Sequence, residues 1–260
     1  HNTTLYLPVY EGKMVDFYDH RSASIEFRPA NLFRPAQPVL TTDGEHRSAD
    51  YVPEPGYWIS EADAKSRVPH RWTRRWLVGF KRVTAATNER TLVPCILPWG
   101  PVSFTLTMLY PLRENHAGPV CLVADLSSIC ADWNLRQMAG QSSLPNFYLQ
   151  QLPVIPPEAY TPEQVAFISS RVLELTYTAW DIRAFAEDMG YDGPPFVWDE
   201  ERRAQLRAQL DALYFHLYGI SREDADYILS TFPIIKRKDE ARFGTFRTRD
   251  LILAYYDAYK

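Results

Sequence analysis

The chain has 260 residues and a formal net charge of −4 at pH 7, a length that fits one large domain or two smaller ones. Its content of 46% hydrophobic and 14% aromatic residues supplies a core and excludes an intrinsically disordered chain. The longest apolar runs are too short to span a bilayer. Because the chain starts at His1 and no charged and apolar leader follows, we expect a piece of a longer protein.

Short strands are predicted in the first 160 residues, where five stretches are rich in β-branched and aromatic residues. These stretches are residues 3–10, 13–19, 75–83, 90–97 and 102–110. The polar stretch 41–49 predicts a loop. Apolar spacing from Asp125 onward predicts a helix of about three or four turns that ends at Gly140.

A segment with four prolines, residues 144–158, follows that helix. Prolines favour extended backbone and cannot complete a ladder, so the segment is predicted to be a stiff connector. Helices are predicted from a capping box at Thr161 to about Leu175, over residues 179–189 up to Gly190, after the N-caps Asp199 and Ser221, and over residues 249–259. The predicted class is α+β, with a mixed β-rich portion at residues 1–157 and a helical portion at residues 158–260.

The three cysteines are Cys95, Cys121 and Cys130. Their odd number and the absence of a C-x-x-C spacing suggest neither a disulfide framework nor a zinc site. A reducing, cytoplasmic location is the natural interpretation. Cys121 and Cys130 stand among apolar residues and are predicted to be inert core thiols.

Charge is distributed unevenly along the chain. Residues 65–90 contain eight Lys/Arg and one Asp/Glu, residues 161–232 contain six and thirteen, and residues 233–260 contain seven and four. In the basic segment, arginines alternate with Trp72 and Trp76 around a predicted strand. Cations at strand ends neutralise phosphates, and amide and guanidinium donors read purine edges. The alternative is that these charges only solubilise the edge of a tryptophan-rich sheet.

Catalytic motifs are absent: the sequence has no phosphate-binding glycine loop, no G-x-S-x-G and no H-E-x-x-H. The triplet from Glu11 to Lys13 has the E-x-K form of a nuclease superfamily, but that chemistry needs a second carboxylate from an upstream strand. None of the ten residues before Glu11 is acidic. We therefore predict no catalytic residue and no metal site, and interpret Lys13 as a phosphate contact.

Four segments together resemble the C-terminal target-recognition region of bacterial single-chain type II restriction-modification methyltransferases and related phage-defence methylases acting on adenine N6. They are Y-E-G-K-M with a following D-H-R at residues 10–21, W-L-V-G-F-K-R-V-T-x-x-T-N-E-R-T at 76–91, the run ending L-P-V-I-P-P at 121–157, and the tail from residue 181. Asp125 departs from the asparagine that is common in that family.

The resemblance implies sequence-specific recognition of duplex DNA by the β-rich portion, with the proline segment closing it. The helical portion would pack against an upstream methyltransferase domain or clamp the duplex. The parent enzyme would use S-adenosylmethionine and would methylate adenine; whether it also cleaves DNA stays open. The adenine-gripping motif N/D-P-P-Y/F is absent, so this part is expected to be catalytically silent and to hold no cofactor.

The predicted DNA contacts all lie in the β-rich portion, residues 1–157. Phosphate contacts are expected mostly from Lys13, Arg21, Arg74, Arg75, Lys81 and Arg82, and Arg71 is a further expected DNA contact. Base contacts are expected from Asn88, Arg90, Arg136 and Gln137, with Gln141 in the polar loop that follows.

Two other functions remain open from the sequence. One is a protein-interaction or scaffold module of a defence complex, with tryptophans as partner anchors. The other is a single-strand nucleic-acid binder in which Trp72 and Trp76 stack on bases. Salt dependence separates a DNA reader from a scaffold, because only the former releases counterions on binding.

Overall fold

The computed structural model describes residues 4–111, 118–140 and 142–259. The chain folds into two compact units, each built from three separate stretches. Unit 1 comprises His1–Val83, Pro94–Pro119 and Leu173–Trp198, and unit 2 comprises Thr84–Val93, Val120–Val172 and Asp199–Lys260. The sequence suggested a single boundary after residue 157 instead. Sequence patterns report local structure, whereas membership of a unit depends on contacts between distant stretches.

Antiparallel pairing accounts for the strands of unit 1. The strands are β1 (Tyr6–Pro8), β2 (Ala23–Phe27), β3 (Ala36–Leu40), β4 (Trp58–Ser60), β5 (Trp76–Lys81), β6 (Pro94–Pro98) and β7 (Leu106–Leu109). β1 pairs with β4, β2 pairs with β3, and β5 lies between β6 and β7. The predicted strands at β1, β5, β6 and β7 are confirmed. The one predicted at residues 13–19 is wrong, because the chain there forms a 3-10 turn at Gly12–Met14 followed by a tight Asp16–Asp19 bridge.

The central strand β5 is buried along nearly its whole length. Residues 76–80 are all buried, so both faces of the strand are covered rather than one. β7 passes so close that a Cβ on Gly79 would lie 2.7 Å from the carbonyl oxygen of Thr107. Glycine is therefore required at this position by space and not by backbone angle.

The described residues form helices in both units. The helices are α1 (Asp43–Arg47), α2 (Glu61–Arg67), α3 (Gly118–Ser127), α4 (Ile129–Met138), α5 (Asn146–Gln151), α6 (Pro162–Thr176), α7 (Arg183–Asp188), α8 (Glu200–Leu217), α9 (Arg222–Ser230), α10 (Pro233–Phe243) and α11 (Arg247–Ala258). The fold is α+β, as predicted. Across the described ranges, no helix has the length and apolar character needed to cross a membrane.

Local capping explains most of the helix boundaries. The side chains of Asp199 and Ser221 accept backbone hydrogen bonds at the starts of α8 and α9, which confirms both predicted caps. The single helix predicted before Gly140 is instead two helices, because Ser128 leaves helical geometry and caps α4 at the amide of Ala131. α1 replaces a predicted loop, since Thr42 and Glu45 form a capping box there.

The three cysteines are free and buried, as predicted for Cys121 and Cys130. Burial raises the pKa of Cys95 and of Cys121 to about 12. The three thiols therefore fill space in the core as protonated groups.

The proline segment docks onto unit 2 through a buried carboxylate. Leu144 and Leu152 are buried, and the segment contains the helix α5, which the prediction of a plain connector missed. The amide of Ile155 donates to Asp125 Oδ2 at 2.9 Å, and the hydroxyl of Tyr218 contacts Asp125 Oδ1 at 2.7 Å and the carbonyl oxygen of Pro153 at 3.1 Å. Asp125 thus fixes the segment to the body of the unit.

Burial of Asp125 predicts a pH-dependent stability. Burial raises its pKa from 3.8 to about 6, against the opposing hydrogen bonds from Tyr218 and Ile155. Since the folded state binds the proton more tightly, this group's stabilising contribution is complete below pH 4 and is lost as pH rises through about 6. In Asp125→Asn the amide oxygen can accept from Ile155 and the amide nitrogen can donate to Tyr218. The stability of Asp125→Asn relative to the unsubstituted chain should therefore grow by about 2–3 kcal/mol between pH 4 and pH 7.

Urea denaturation across this pH range measures the difference. Burial also raises the pKa of Asp211 to about 6. The free energy of unfolding of Asp125→Asn should therefore still fall as pH rises, and adding Asp211→Asn should remove that remaining fall. Asp257→Asn is the control, because Asp257 is exposed and paired with Arg222 at 2.9 Å. A difference curve for Asp125→Asn that stays flat from pH 4 to pH 7 would contradict the assignment.

Candidate nucleic-acid interface

A basic loop of unit 1 runs from the end of α2 to the start of β5. Trp72 anchors it: its indole nitrogen donates to the carbonyl oxygen of Trp76 at 2.7 Å, and its ring packs edge-on against Trp76 and Tyr110. The loop lines a cavity of about 300 Å³. The cavity is lined by Arg71, Trp72, Thr73, Arg74, Arg75, Pro111, Pro119, Ala184, Glu187 and Asp188.

The arginines of this loop differ in whether a carboxylate already binds them. Arg74 is half-buried, lies 3.1 Å from Asp188 and covers the ring of Trp76. Asp188 also accepts from the indole nitrogen of Trp76 at 2.7 Å. Arg71 and Arg75 are exposed, and their side chains make no ion pair or hydrogen bond with any residue that the structure describes. Two guanidinium groups are therefore available to a ligand at the cavity.

A second pair of available cations stands at the other end of β5. Arg82 is exposed and Lys81 is half-buried, and neither side chain forms an ion pair within the described ranges. From Arg75 to Arg82 the extended chain covers about 20 Å. That distance runs past about six base pairs at 3.4 Å each along one DNA strand. Cations at the two ends of β5 can therefore reach different phosphates of one duplex.

Lys13 has an internal role in the structure. Its ammonium donates to the carbonyl oxygen of Ala36 at 2.8 Å and lies 3.3 Å from the carboxylate of Glu11. It therefore ties the 3-10 turn to β3. A DNA phosphate would have to compete with Glu11 for the same ammonium.

Arg21 was predicted to contact a phosphate, and its position corrects that role. Its side chain is completely buried. One terminal nitrogen donates to the carbonyl oxygens of Ser48 and Tyr51, at 2.8 and 3.2 Å. The other donates to His46 O, Thr178 O and Thr178 Oγ1, at 2.9 to 3.1 Å. With no exposed surface and these acceptors around it, Arg21 has no access to DNA in this structure.

Histidine–carboxylate pairs surround Arg21. His20 Nε2 lies 2.9 Å from Asp181 Oδ1, and His46 Nε2 lies 3.1 Å from Asp19 Oδ2. Burial lowers the pKa of Arg21, and the carboxylates of Asp19 and Asp181 oppose that shift. The D-H-R triplet therefore holds the segment around Asp181 against the N-terminal part of unit 1.

In unit 2, the predicted base readers Arg90 and Arg136 meet at one buried carboxylate. Asp132 is fully buried and accepts from Arg90 Nε at 2.5 Å, and Arg136 Nε lies 3.6 Å away. Arg90 also donates to the carbonyl oxygens of Ser127 and Ser128. Reading a base edge would require both arginines to give up these bonds.

The loop between Thr84 and Val93 is tied down by the same contacts. Asp132 accepts from the amides of Thr91 and Leu92 at 3.0 and 3.1 Å. Arg136 donates to the carbonyl oxygens of Asn88 and Glu89 at 2.8 and 2.7 Å and lies over the ring of Phe232. Burial lowers the pKa of Arg136. The structure thus gives Arg90 and Arg136 a role in shaping this loop.

Two predicted base readers remain exposed. The amide of Asn88 donates to Thr84 Oγ1 at 3.3 Å, and that of Gln137 donates to the carbonyl oxygen of Trp133 at 3.2 Å. Each amide keeps an unused donor and its oxygen for a base edge. Gln141 lies outside the described residues.

Protein-family models, curated proteins and solved structures give no match. Among the residues that the structure describes, no group of three or more His, Cys, Asp or Glu side chains is placed to hold a metal ion. The physical interpretation of the site therefore depends on the side chains themselves.

Sequence reasoning missed the carboxylates that decide which arginines are available. The sequence analysis gave Asp132 and Asp188 no role, yet they bind Arg90 and Arg74. Asp132 carried a detectable signal, since it lies within one turn of Ile129 and Leu135, which share its buried side of α4. Asp188 gave no such signal, because it stands 114 residues from Arg74 in the chain.

Proposed function

We propose that this chain recognises duplex DNA in a sequence-dependent way, as the specificity part of an adenine-N6 DNA methyltransferase of a restriction-modification or phage-defence system. Arg71, Arg75, Lys81 and Arg82 contact phosphates, and Asn88 and Gln137 are the base readers. The chain is non-catalytic by itself. Methylation, S-adenosylmethionine binding and any cleavage belong to a methyltransferase part of the parent protein, which acts in the cytoplasm.

The observation that carries the proposal is the set of cations around β5, three of them exposed and Lys81 half-buried, that form no ion pair with the described residues. Several other arginines in the chain have carboxylate partners, such as Arg183 with Glu187 and Arg222 with Asp257. Arg71 and Arg75 instead line a cavity whose two carboxylates, Asp188 and Glu187, are already paired with Arg74 and Arg183, and the described residues offer them no ion-pair partner. Uncompensated like charges repel one another, and a polyanion relieves that repulsion while releasing its own counterions. These side chains therefore suit a phosphate backbone.

The burial of Trp72 and Trp76 favours duplex over single-stranded nucleic acid as the ligand of the basic loop. Trp76 is completely buried, so its faces are not available to unpaired bases. Trp72 is half-buried and holds the basic loop through its indole nitrogen. Stacking platforms for single strands and anchors for protein partners both need exposed rings. The cations rather than the aromatic rings are the exposed chemistry of this loop.

The double substitution Arg71→Ala/Arg75→Ala tests the proposed phosphate contacts. Each lost phosphate contact should reduce the slope of log K against log salt by about 0.9, so we expect a reduction of about 2 with weaker binding to all duplex sequences. Fluorescence anisotropy with a mixed-sequence duplex between about 50 and 200 mM salt measures both quantities.

Arg222→Ala is the matched control, because Arg222 is an exposed arginine already paired with Asp257. Its slope should equal that of the unsubstituted chain. The proposal fails if the unsubstituted chain shows no salt-dependent binding to any duplex. The assignment of Arg71 and Arg75 fails if the double variant binds with an unchanged slope.

A further inference from the structure

The strands β2 and β3 form a ribbon that is held firmly at one end. Their register runs from Ala23 opposite Leu40 to Phe27 opposite Ala36, and no third strand joins them in the described part of the chain. Ala23 and Ile25 are buried, and Ile25 belongs to the core of unit 1. Lys13 bonds the carbonyl oxygen of Ala36. The ribbon is thus fixed up to the pair formed by Phe27 and Ala36.

Beyond that pair, residues 28–35 close the ribbon with internal hydrogen bonds. The amide of Arg28 donates to the carbonyl oxygen of Pro35 at 2.6 Å, and the amide of Asn31 donates to the carbonyl oxygen of Arg28 at 3.0 Å. The side chain of Asn31 accepts from the amide of Arg34 at 3.2 Å. These bonds give the tip a defined conformation.

The tip presents two adjacent large apolar side chains to solvent. Leu32 is 86% exposed and Phe33 is 97% exposed. Single exposed apolar residues are ordinary, but Leu32 and Phe33 are adjacent in the chain at the end of a braced ribbon, and such an exposed pair suits contact with a partner. Residues 27–42 contain two arginines and no carboxylate. The tip therefore combines apolar and cationic groups.

We propose that the β2–β3 ribbon enters a groove of duplex DNA and that Leu32 and Phe33 wedge between stacked base pairs. This inference rests on the proposed function and extends it to a surface that the basic loop does not include. β-Ribbon DNA binders use the major or the minor groove, and the wedges known to unstack base pairs enter from the minor groove. Apolar wedges at base steps kink DNA by roughly 20–90°. Arg34, exposed and without an ion-pair partner in the described ranges, flanks the wedge and faces the phosphates.

Both the apolar and the cationic groups of the tip have a matching partner in duplex DNA. Stacked bases offer apolar faces, and rows of phosphates run on either side of them. In the tip, Leu32 and Phe33 are likewise flanked in the chain by the cations Arg28 and Arg34. Arg28 is paired with Glu26 at the ribbon, so Arg34 is the stronger candidate for a phosphate. The same unit carries Arg71 and Arg75, which form no ion pair with the described residues and are the phosphate contacts of the proposed function.

The test uses the full chain and duplexes enriched by it from a pool with a randomised centre. Adenines of the enriched duplex are replaced one at a time by 2-aminopurine, and donor and acceptor dyes at its ends report bending. The unsubstituted chain should raise 2-aminopurine fluorescence at one step and shorten the end-to-end distance. Leu32→Ser/Phe33→Ser should abolish both signals while affinity falls by less than about tenfold, because loss of the wedge also removes the cost of unstacking.

Phe104→Ser is the matched control, since Phe104 is 79% exposed and lies outside the ribbon; it should leave both signals intact. Thermal melts confirm that the tip variant stays folded. Duplex binding without local unstacking by the unsubstituted chain, or unstacking that survives in the tip variant, overturns the wedge and leaves the proposed function standing. No duplex binding at all overturns both. Tip-dependent binding to anionic lipid vesicles with unchanged DNA signals assigns the tip to a membrane and also overturns the wedge.

Discussion

Replacing Arg21 with alanine is expected to destabilise unit 1 by about 5 kcal/mol, a large share of the stability of an ordinary domain. The buried guanidinium supplies hydrogen bonds to four carbonyl oxygens and a hydroxyl from Ser48, Tyr51, His46 and Thr178. Without it these acceptors stay buried and unsatisfied, each at a cost of about 1–3 kcal/mol. The carboxylates of Asp19 and Asp181 also lose their cation.

Urea denaturation measures the loss, and hydrogen exchange locates it. The amide of Trp180 donates to the carbonyl oxygen of Ala49 at 3.0 Å, so its protection reports whether the segment from Leu173 to Trp198 stays attached. That amide should exchange much faster in Arg21→Ala. In Arg21→Lys the loss should be smaller but clear, because a single ammonium cannot reach all the acceptors of a planar guanidinium.

Arg47→Ala provides the control, since Arg47 is an exposed arginine of α1 in the same unit. It should change stability by less than about 0.5 kcal/mol. Should Arg21→Ala instead match Arg47→Ala in stability while weakening DNA binding, the original phosphate role would be right and the structural role wrong.

Local patterns predicted the parts of the fold that local chemistry decides. Caps at Asp199 and Ser221 depend on residues three positions away, so they were readable in the sequence. Ser128 and Thr42 gave the same kind of signal and were overlooked, which joined the last residues of α3 to α4 in one predicted helix and hid α1. The ribbon of β2 and β3 was missed although Ala23, Ile25 and Phe27 alternate with polar residues in β2. Its partner β3 gives a weak signal because Pro38 lies in the middle of the strand, and pairing with β2 is what makes it a strand.

The candidate site shows where sequence reasoning stops. Arg74 and Arg75 are adjacent and chemically identical, yet Arg74 is held by Asp188 and Arg75 is exposed. The difference is set by a residue more than a hundred positions away. The sequence could therefore indicate that a basic loop exists but not which of its arginines is available. The same limit applies to Arg21, whose acceptor Thr178 is 157 residues distant.

Asp132→Asn is expected to cost unit 2 about 3–5 kcal/mol, because it leaves two half-buried guanidinium groups without their buried carboxylate. The new amide oxygen could keep the amides of Thr91 and Leu92, but the amide nitrogen would face Arg90 Nε, which is itself a donor 2.5 Å from the present oxygen. The loop from Thr84 to Val93 should then lose its fixed shape.

Hydrogen exchange at Thr91 and Leu92 measures this directly, since both amides donate to Asp132. Asp257→Asn is the matched control: it removes an exposed carboxylate paired with Arg222 in the same unit, and exposed pairs contribute less than about 1 kcal/mol. DNA binding adds a second readout. If Arg90 and Arg136 only shape the loop, Asp132→Asn should weaken base selectivity through displacement of Asn88. Tighter and more selective binding by Asp132→Asn would be the opposite result. It would mean that Arg90 and Arg136 read bases once Asp132 no longer binds them, and that the shaping role is wrong.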